Sequence, residues 1–455
     1  MDIYKLLGKE FKCEYCGKKH KIDIKFIEKR NIKNLPELIS SVYGKGKKIL
    51  VLCDDITYDV AGKQIEKVIK KENNVKSLVL KEKNGRKVTA KEEYLPKIEE
   101  HAKTNNLVIT VGTGTITDLG KIAGNNLNIP VLCFPTASSM NAYTSNVAAY
   151  IKRGVKFTIP VKPVDGVFMD IQVIKEAPIE LTKSGFADSL AKSFANSDWK
   201  ISSIMTGEEF CSLPYKIVSD VEKQYIDKGD LIIQGEEKSI EVLMEGLNLG
   251  GISMMIAGKS SPASGGEHLI SHFLDMYAHQ YERDVFAFHG IQVASGIYIS
   301  SLLYDKIKNI NKTDIKKMIE KTKINYSEKY EKLVNYFPAG KEILKKEFEN
   351  KIEILKKLRI KLPEKWDEIK ESVFKIVIPP ERIKSVLEKG KVPFHLKDIG
   401  VDENLISDDI ILSRFIRARV TILDIADEIG ILENFTNKYI GGVIWKTQLL
   451  LLIEV

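Results

Sequence analysis

Cysteine is scarce in this chain of 455 residues, and its five copies (Cys13, Cys16, Cys53, Cys133 and Cys211) are scattered and odd in number. A chain of this length that relied on disulfides would carry an even, denser set, so a reducing compartment is expected. Long apolar runs at the ends are also missing. The opening MDIYKLLGKEFK has no apolar stretch of a secretion signal, and the closing IGGVIWKTQLLLLIEV is short and interrupted by Lys446. The expectation is a cytoplasmic protein without a membrane span. Segregated positive charge is absent too. The net charge of +8 arises from 70 basic against 62 acidic residues, and the lysines between Lys306 and Lys391 alternate with glutamates. That pattern describes solvated helix faces and argues against a nucleic-acid partner, while leaving room for a small anionic substrate. Internal repeats and low-complexity segments are not found.

With 44% hydrophobic and 29% charged residues, the chain has the composition of a folded globular protein. One hydrophobic core seldom organises more than ~250–300 residues, so two domains are expected. From Lys48 to Asp170, short β-branched runs alternate with helical stretches: KILVLCDD, VKSLVLKE, LVITVG, IPVLCFPT and VDGVFMD. This predicts a parallel sheet covered by helices, with Tyr58, Ala61, Ile65 and Val68 forming the apolar stripe of the first crossover helix. Beyond Ala177 helical patterns take over, with breaks expected near Pro262, Pro338, Pro363 and Pro379-Pro380. The expected architecture is an α/β nucleotide-binding domain over residues 1–175 and an all-α domain over 176–455. Within the latter, Ile240 to Gly258 is apolar nearly all round. Glu241, Glu245 and the polar SSPASGG that follows mark it as a buried central helix.

Several constellations carry chemistry. In VGTGTITDLGK a strand runs into Gly112, Thr113 and Gly114 and then a helix with Asp118 and Lys121, the arrangement by which glycines and free helix N–H groups meet a pyrophosphate. The spacing is not that of the usual dinucleotide fingerprint, and an ordinary glycine turn reads the same. FPTASSMNAYTSN sets Thr136, Ser138, Ser139, Thr144 and Ser145 past the carboxyl end of another strand, as ligand contacts or as a hydroxyl-rich turn. Four of the seven histidines (His268, His272, His279 and His289) crowd into one stretch, with His268 and His272 on one helix face. Asp188, in SGFADSLAKSF, would join two imidazoles to leave open positions on a Lewis-acid metal, or would serve as a first-turn aspartate or partner of Lys192. Cys13, Cys16 and His20 offer three more metal-capable groups in FKCEYCGKKHKI, but no fourth stands nearby.

Together the segments CDDITYDVAGK, VGTGTITDLGK, FPTASSMNAYTSNVAAY, GFADSLAKSFANSDWKIS and SSPASGGEHLISHF with the later FHG resemble the family of glycerol-1-phosphate dehydrogenases, bacterial type. That family lies in the superfamily of iron-containing alcohol dehydrogenases, glycerol dehydrogenase and dehydroquinate synthase. The C-terminal RARVTILDIADEIGILENF resembles the end of its bacterial members. The resemblance implies a dehydroquinate synthase-like fold with the active site between the two domains. It implies a divalent metal, zinc first with iron or nickel as alternatives, on Asp188, His268 and His289. It implies NAD or NADP near Asp54, Thr57, Gly112, Gly114, Thr115, Asp118, Thr136, Ser139, Thr144 and Ser145. His272, Asn141 and Lys121 become candidate catalytic groups, and a homodimer is compatible with it. The implied reaction is hydride transfer between NAD(P)H and dihydroxyacetone phosphate, a phosphorylated triose, giving sn-glycerol 1-phosphate.

Two departures from the family pattern bear on substrate. Asn141 stands where alcohol-handling members typically carry aspartate, and Ser261 replaces the arginine of S-R-P-A-S-G, with Lys259 as a candidate substitute. Dehydrogenation of another small alcohol or polyol, a cyclase of the dehydroquinate-synthase kind, and a non-catalytic binding protein are the competing expectations. Coenzyme preference is open as well: Asp54 and Asp55 suit a ribose hydroxyl, whereas Lys81 and Arg86 suit a 2′-phosphate.

Overall fold

The computed structural model describes residues 2–81 and 87–442. Arg86 and the apolar C-terminal run from 443 onward therefore lie outside the described residues. Its centre is a six-stranded, wholly parallel sheet of β3 (Phe26–Lys29), β4 (Lys48–Asp54), β5 (Asn74–Leu80), β6 (Leu107–Gly112), β7 (Val131–Pro135) and β10 (Gly166–Met169), in the spatial order β3-β10-β7-β6-β4-β5. The five expected strands are all present. Their side chains alternate between faces, as a pleat requires. Leu50, Leu52, Val108 and Val167 join a core that continues into the helical region, while Ile49, Val51, Ile109, Val111 and Phe168 pack on the opposite side under the Leu35–Tyr43 and Lys63–Ile69 helices.

Three features escaped the strand pattern. β3 is a short edge strand, FIEK, with no fully buried residue to mark it. Two antiparallel hairpins also form: β1 (Glu10–Lys12) with β2 (Lys19–Lys21), and β8 (Val147–Lys152) with β9 (Val155–Pro160). The second turns on Arg153 and Gly154, both at positive φ (48° and 75°), the two-residue geometry that matches the twist of paired strands. That turn sends Lys156 back toward the helical region.

After β10 the described structure is helical. The Glu237–Ala257 helix is by length and composition apolar enough to cross a membrane, yet most of it is buried inside the fold, as a core helix should be. One expected break does not occur. Pro363 sits inside the long Lys341–Val373 helix, whose stripe of Leu355, Leu358, Leu362, Trp366, Ile369 and Val373 stays buried on both sides of it. Burial of those side chains, at ~1.5–3 kcal/mol each, outweighs the ~3 kcal/mol that an interior proline costs.

The C-terminal segment is held by a buried ion network. Arg414 donates to Asp424 (2.9 Å), Asp427 and Glu428 (3.4 Å), and Lys351 approaches Asp424 at 2.7 Å. Arg414 and Lys351 are completely buried, so their charges exist only because those carboxylates face them. Replacing Arg414 with methionine is expected to lower the unfolding free energy by about 3–5 kcal/mol, because it removes the one buried cation shared by Asp424, Asp427 and Glu428 and leaves each with a single cationic partner, Lys351, Lys329 and Arg359 respectively. Denaturant titration of the variant beside the parent chain measures this, and an unchanged midpoint would refute it.

Candidate metal and nucleotide site

Asp188 lies in the last turn of the Ile179–Ser189 helix, not in a first turn as one reading of its sequence context had it. A carboxylate there meets the negative end of the helix dipole and needs compensation. Lys192, opening the next helix (Lys192–Thr206), supplies it: its ammonium donates to the Asp188 carbonyl at 2.9 Å and stands 3.8 Å from Asp188 Oδ1. Asn141, from the loop after β7, donates to Asp188 Oδ2 through both its main-chain N (3.1 Å) and its Nδ2 (2.7 Å). An aspartate at 141 could not donate from its side chain, so asparagine is the residue that holds this carboxylate in place.

Two helices bring histidines to the remaining oxygen. His268 is in the first turn of the Gly266–Gln280 helix, and His289 begins the His289–Ile307 helix. His268 Nε2 lies 3.4 Å from Asp188 Oδ1, and the ligand-capable atoms of Asp188, His268 and His289 all fall within 4.8 Å of one another. Asp188 Oδ1 is buried and accepts no hydrogen bond among the described residues, the state of an oxygen shaped for a cation. The far nitrogen of each imidazole is also held. His268 Nδ1 is 2.9 Å from Glu267 Oε1, and His289 Nδ1 is 3.1 Å from Ser271 Oγ. Ser271 accepts from Gln292, which also donates to Asp275, the partner of Lys156 on β9. Such partners fix ring orientation and tautomer.

The electrostatics agree with the geometry. Burial would raise the Asp188 carboxyl, but Lys192, His268 and His289 together hold it well below the usual carboxylate range. Burial, followed by Lys156 and His268, pushes the His289 imidazole down to about 3, so it is neutral and able to coordinate. His272, one turn after His268, stacks beside His289 with ring centroids 6.0 Å apart. Burial, and after it the Lys156 charge, keep it neutral, and its Nδ1 has no hydrogen-bond partner among the described residues.

The nucleotide candidates divide. Gly112 ends β6, and Gly114 opens the Gly114–Leu127 helix, whose N-terminus has no side-chain cap. A Cβ at Gly114 would lie 1.9 Å from Met140 Sδ, so a larger residue there would require that side chain to move. Thr115 is half-buried in the first turn, and Thr136 is buried at the end of β7 with its N–H on Gly112 O. Others have polar atoms that bond within the protein. Lys121 is wholly buried, 2.8 Å from Asp118, and donates to Ser145 Oγ (2.9 Å) and Val147 O (2.6 Å), while Asp118 accepts from Ala149 N. The pair ties the helix to β8. Thr144 donates to Asn248 O, Ser145 to Val147 O, and Ser139 meets Tyr143. Asp54 and Thr57 form a reciprocal cap on the helix after β4.

Sequence reasoning missed Glu267 and Lys156 outright, along with Arg417 and Arg419. Glu267 was visible beside His268 in GGEH, but nothing in sequence tied Lys156 or the two arginines to this place. Lys259 is engaged with Glu208 and lies over the Trp199 ring. Instead Arg419 reaches the SSPASG turn, donating to Ser264 O and to Ser260 Oγ (3.0 Å), and Arg417 donates to Lys156 O.

Residues 26–178 match the sequence profile of iron-containing alcohol dehydrogenases. Among solved structures, glycerol dehydrogenase from Schizosaccharomyces pombe superposes with a TM-score of 0.59 at 16% identity, covering 92% of this chain and 91% of that one. A probable glycerol dehydrogenase from Sinorhizobium meliloti gives 0.57 at 17% identity, covering 91% and 98%. At such identities the likeness speaks for the fold alone. A relative named glycerol-1-phosphate dehydrogenase [NAD(P)+] from Bacillus velezensis is 35% identical over 229 residues, spanning 50% of this chain but only 58% of that protein's own length. One of the same name from Pyrococcus horikoshii is 34% identical over 275 residues, spanning 60% of this chain and 77% of that protein. On that match the chain belongs to the glycerol-1-phosphate dehydrogenase family.

Proposed function

We propose that this chain is a metal-dependent oxidoreductase that moves hydride between NAD(P)H and dihydroxyacetone phosphate to form sn-glycerol 1-phosphate. The observation that carries the reading is the trio of Asp188, His268 and His289, the first two buried and the third half-buried, each oriented by its own partner, with cationic groups alongside. Asp188, His268 and His289 would hold one divalent ion, zinc suiting the donor set and iron(II) or nickel also accommodated. Bound there, the ion supplies Lewis-acid polarisation of a carbonyl oxygen, and the coenzyme supplies the hydride.

The chain's own residues do the rest. Asn141 and Lys192 fix the Asp188 carboxylate, Glu267 fixes His268, and Ser271 fixes His289, so the three donors need no rearrangement when the reaction proceeds. His272, neutral and with an unpartnered Nδ1, is positioned to hold or pass on the proton that the product hydroxyl needs. Lys156 and Arg417, whose charges both bear on His272, give an anionic substituent a place to settle. The uncapped Gly114 helix terminus offers N–H groups to the coenzyme's pyrophosphate. A cyclase reading finds no separate support here.

The metal-loaded chain is expected to oxidise NADH or NADPH when given dihydroxyacetone phosphate, and His268→Ala to lose on the order of a thousandfold or more in kcat/KM along with its metal. Phosphate release without net coenzyme oxidation would overturn the assignment. Asn141→Ala should weaken retention of the metal by roughly 10–100-fold in a chelator competition, because the carboxylate loses both orientation and compensation from the side chain. An Arg417→Leu variant is expected to raise KM for the phosphorylated substrate about 10–100-fold with a smaller change in kcat. Equal loss toward unphosphorylated dihydroxyacetone would show that Arg417 does not serve the phosphate.

A further inference from the structure

The fold completes a set of metal-capable side chains that the sequence left one short. Cys13 and Cys16 flank the turn joining β1 to β2, and His20 stands on β2 opposite Phe11. The turn closes tightly: Gly17, at φ 72°, donates its N–H to Cys13 O at 2.9 Å, and Cys13 N donates to Lys18 O at 2.8 Å. Tyr15 N points at Cys13 Sγ, 3.4 Å away. Cys211 arrives from nearly two hundred residues downstream, in the connection between the Lys192–Thr206 and Leu213–Tyr225 helices, and lies 3.6 Å from Cys13 Sγ. Cys16 Sγ is 3.1 Å from His20 Nε2, and the ligand atoms of all four residues fall within 4.8 Å of one another. A tetrahedral zinc ion with Zn–S bonds of ~2.3 Å needs sulfurs about 3.8 Å apart, close to what is found.

From this we infer that Cys13, Cys16, His20 and Cys211 form a second, structural zinc site, separate from the Asp188 centre. All five cysteines are free thiols, and a disulfide between Cys13 and Cys211 would leave Cys16 and His20 converging on nothing. Four protein donors close the coordination sphere, so the site binds metal without offering a position to substrate. Thiolates and imidazole select zinc over calcium or magnesium. Loading removes one proton from each of the three thiols and leaves the imidazole neutral, so affinity falls as pH drops. The ion would fasten the N-terminal hairpin to the far end of the Lys192–Thr206 helix, where Lys18 already pairs with Glu209. A clip across so long a loop removes much conformational freedom from the unfolded chain.

The test uses the full chain carrying His268→Ala, so that the Asp188 centre does not confuse the metal count. Elemental analysis should find one zinc per chain, released in step with thiol titration by an organic mercurial. The cobalt-substituted chain should show a thiolate-to-cobalt charge-transfer band. Cys16→Ser with Cys211→Ser should abolish both signals and lower the melting temperature, while the otherwise unaltered chain keeps its second metal. Should that double variant fail to fold, mercurial release and the cobalt spectrum of the unaltered cysteines decide alone. Absence of mercurial-releasable zinc, absence of a sulfur band, or a Cys13–Cys211 disulfide in untreated protein would each overturn the inference.

Discussion

The arrangement of this protein turns on the burial of one carboxylate, Asp188, at a helix end whose dipole opposes it. Removing a charge from water costs several kcal/mol even after relaxation, and that cost must be met locally. The groups that meet it come from separate stretches of chain: Asn141 from a strand-to-hairpin loop, Lys192 from the following helix, His268 from a helix some eighty residues on. Each of those segments is thereby fixed relative to the others. Two glycines let the backbones close up around the carboxylate, since a Cβ at Gly185 would lie 1.8 Å from Ser138 O and one at Gly290 equally near Ser184 O. The same compression that solves the electrostatic problem delivers His289 to its place, because Gly290 N donates to Ser184 Oγ on the Asp188 helix.

A second buried charge system supports the first from outside. Arg414 is surrounded by carboxylates of the Ile422–Glu428 helix, and the same helix presents Ile422 N to Asp198 Oδ1. Asp198 also accepts from Gly266 N, the start of the helix that bears His268, and from Tyr304. Burial and the nearby Glu267 raise the Asp198 carboxyl to about 8, so near neutrality it can exist protonated in a place where a second full charge beside Glu267 would be expensive. The two networks thus share a helix N-terminus, which couples the C-terminal segment mechanically to the histidines.

What was legible in the sequence follows from how local the cause was. Five sheet strands announced themselves because each is an apolar run long enough to cross a buried sheet. β3 did not, because an edge strand needs only partial burial, and β8 with β9 did not, because their pairing rests on a two-residue turn with no Asn-Gly or Asp-Gly in it. Histidine clustering exposed His268 and His289 since both lie within one short stretch. Asp188 needed the family pattern to stand out from ordinary helical aspartates. Lys121, Asp118, Thr144 and Ser145 could be named only as candidates because sequence gives residue type and not direction, and the bonds they make within the fold have distant partners. Pro363 read as a break because a proline's local cost is visible while the buried stripe that outweighs it is formed with distant partners.

The substrate question changes when charge is followed through space instead of along the chain. Ser261 removes a guanidinium that the family pattern places in the SSPASG turn, which on sequence alone weakens the case for an anionic substrate. In the fold a guanidinium returns to that turn from the C-terminal segment, Arg419 donating to Ser264 O and Ser260 Oγ. Its neighbour Arg417 meets Lys156, whose own ammonium pairs with Asp275 behind His289. Positive charge near the histidines has therefore been relocated, not deleted, and its carriers are anchored by the Arg414 network. Asn141 fits the same logic. A neutral donor beside Asp188 lowers the negative charge of the pocket relative to an aspartate, and that favours a substrate that brings negative charge of its own.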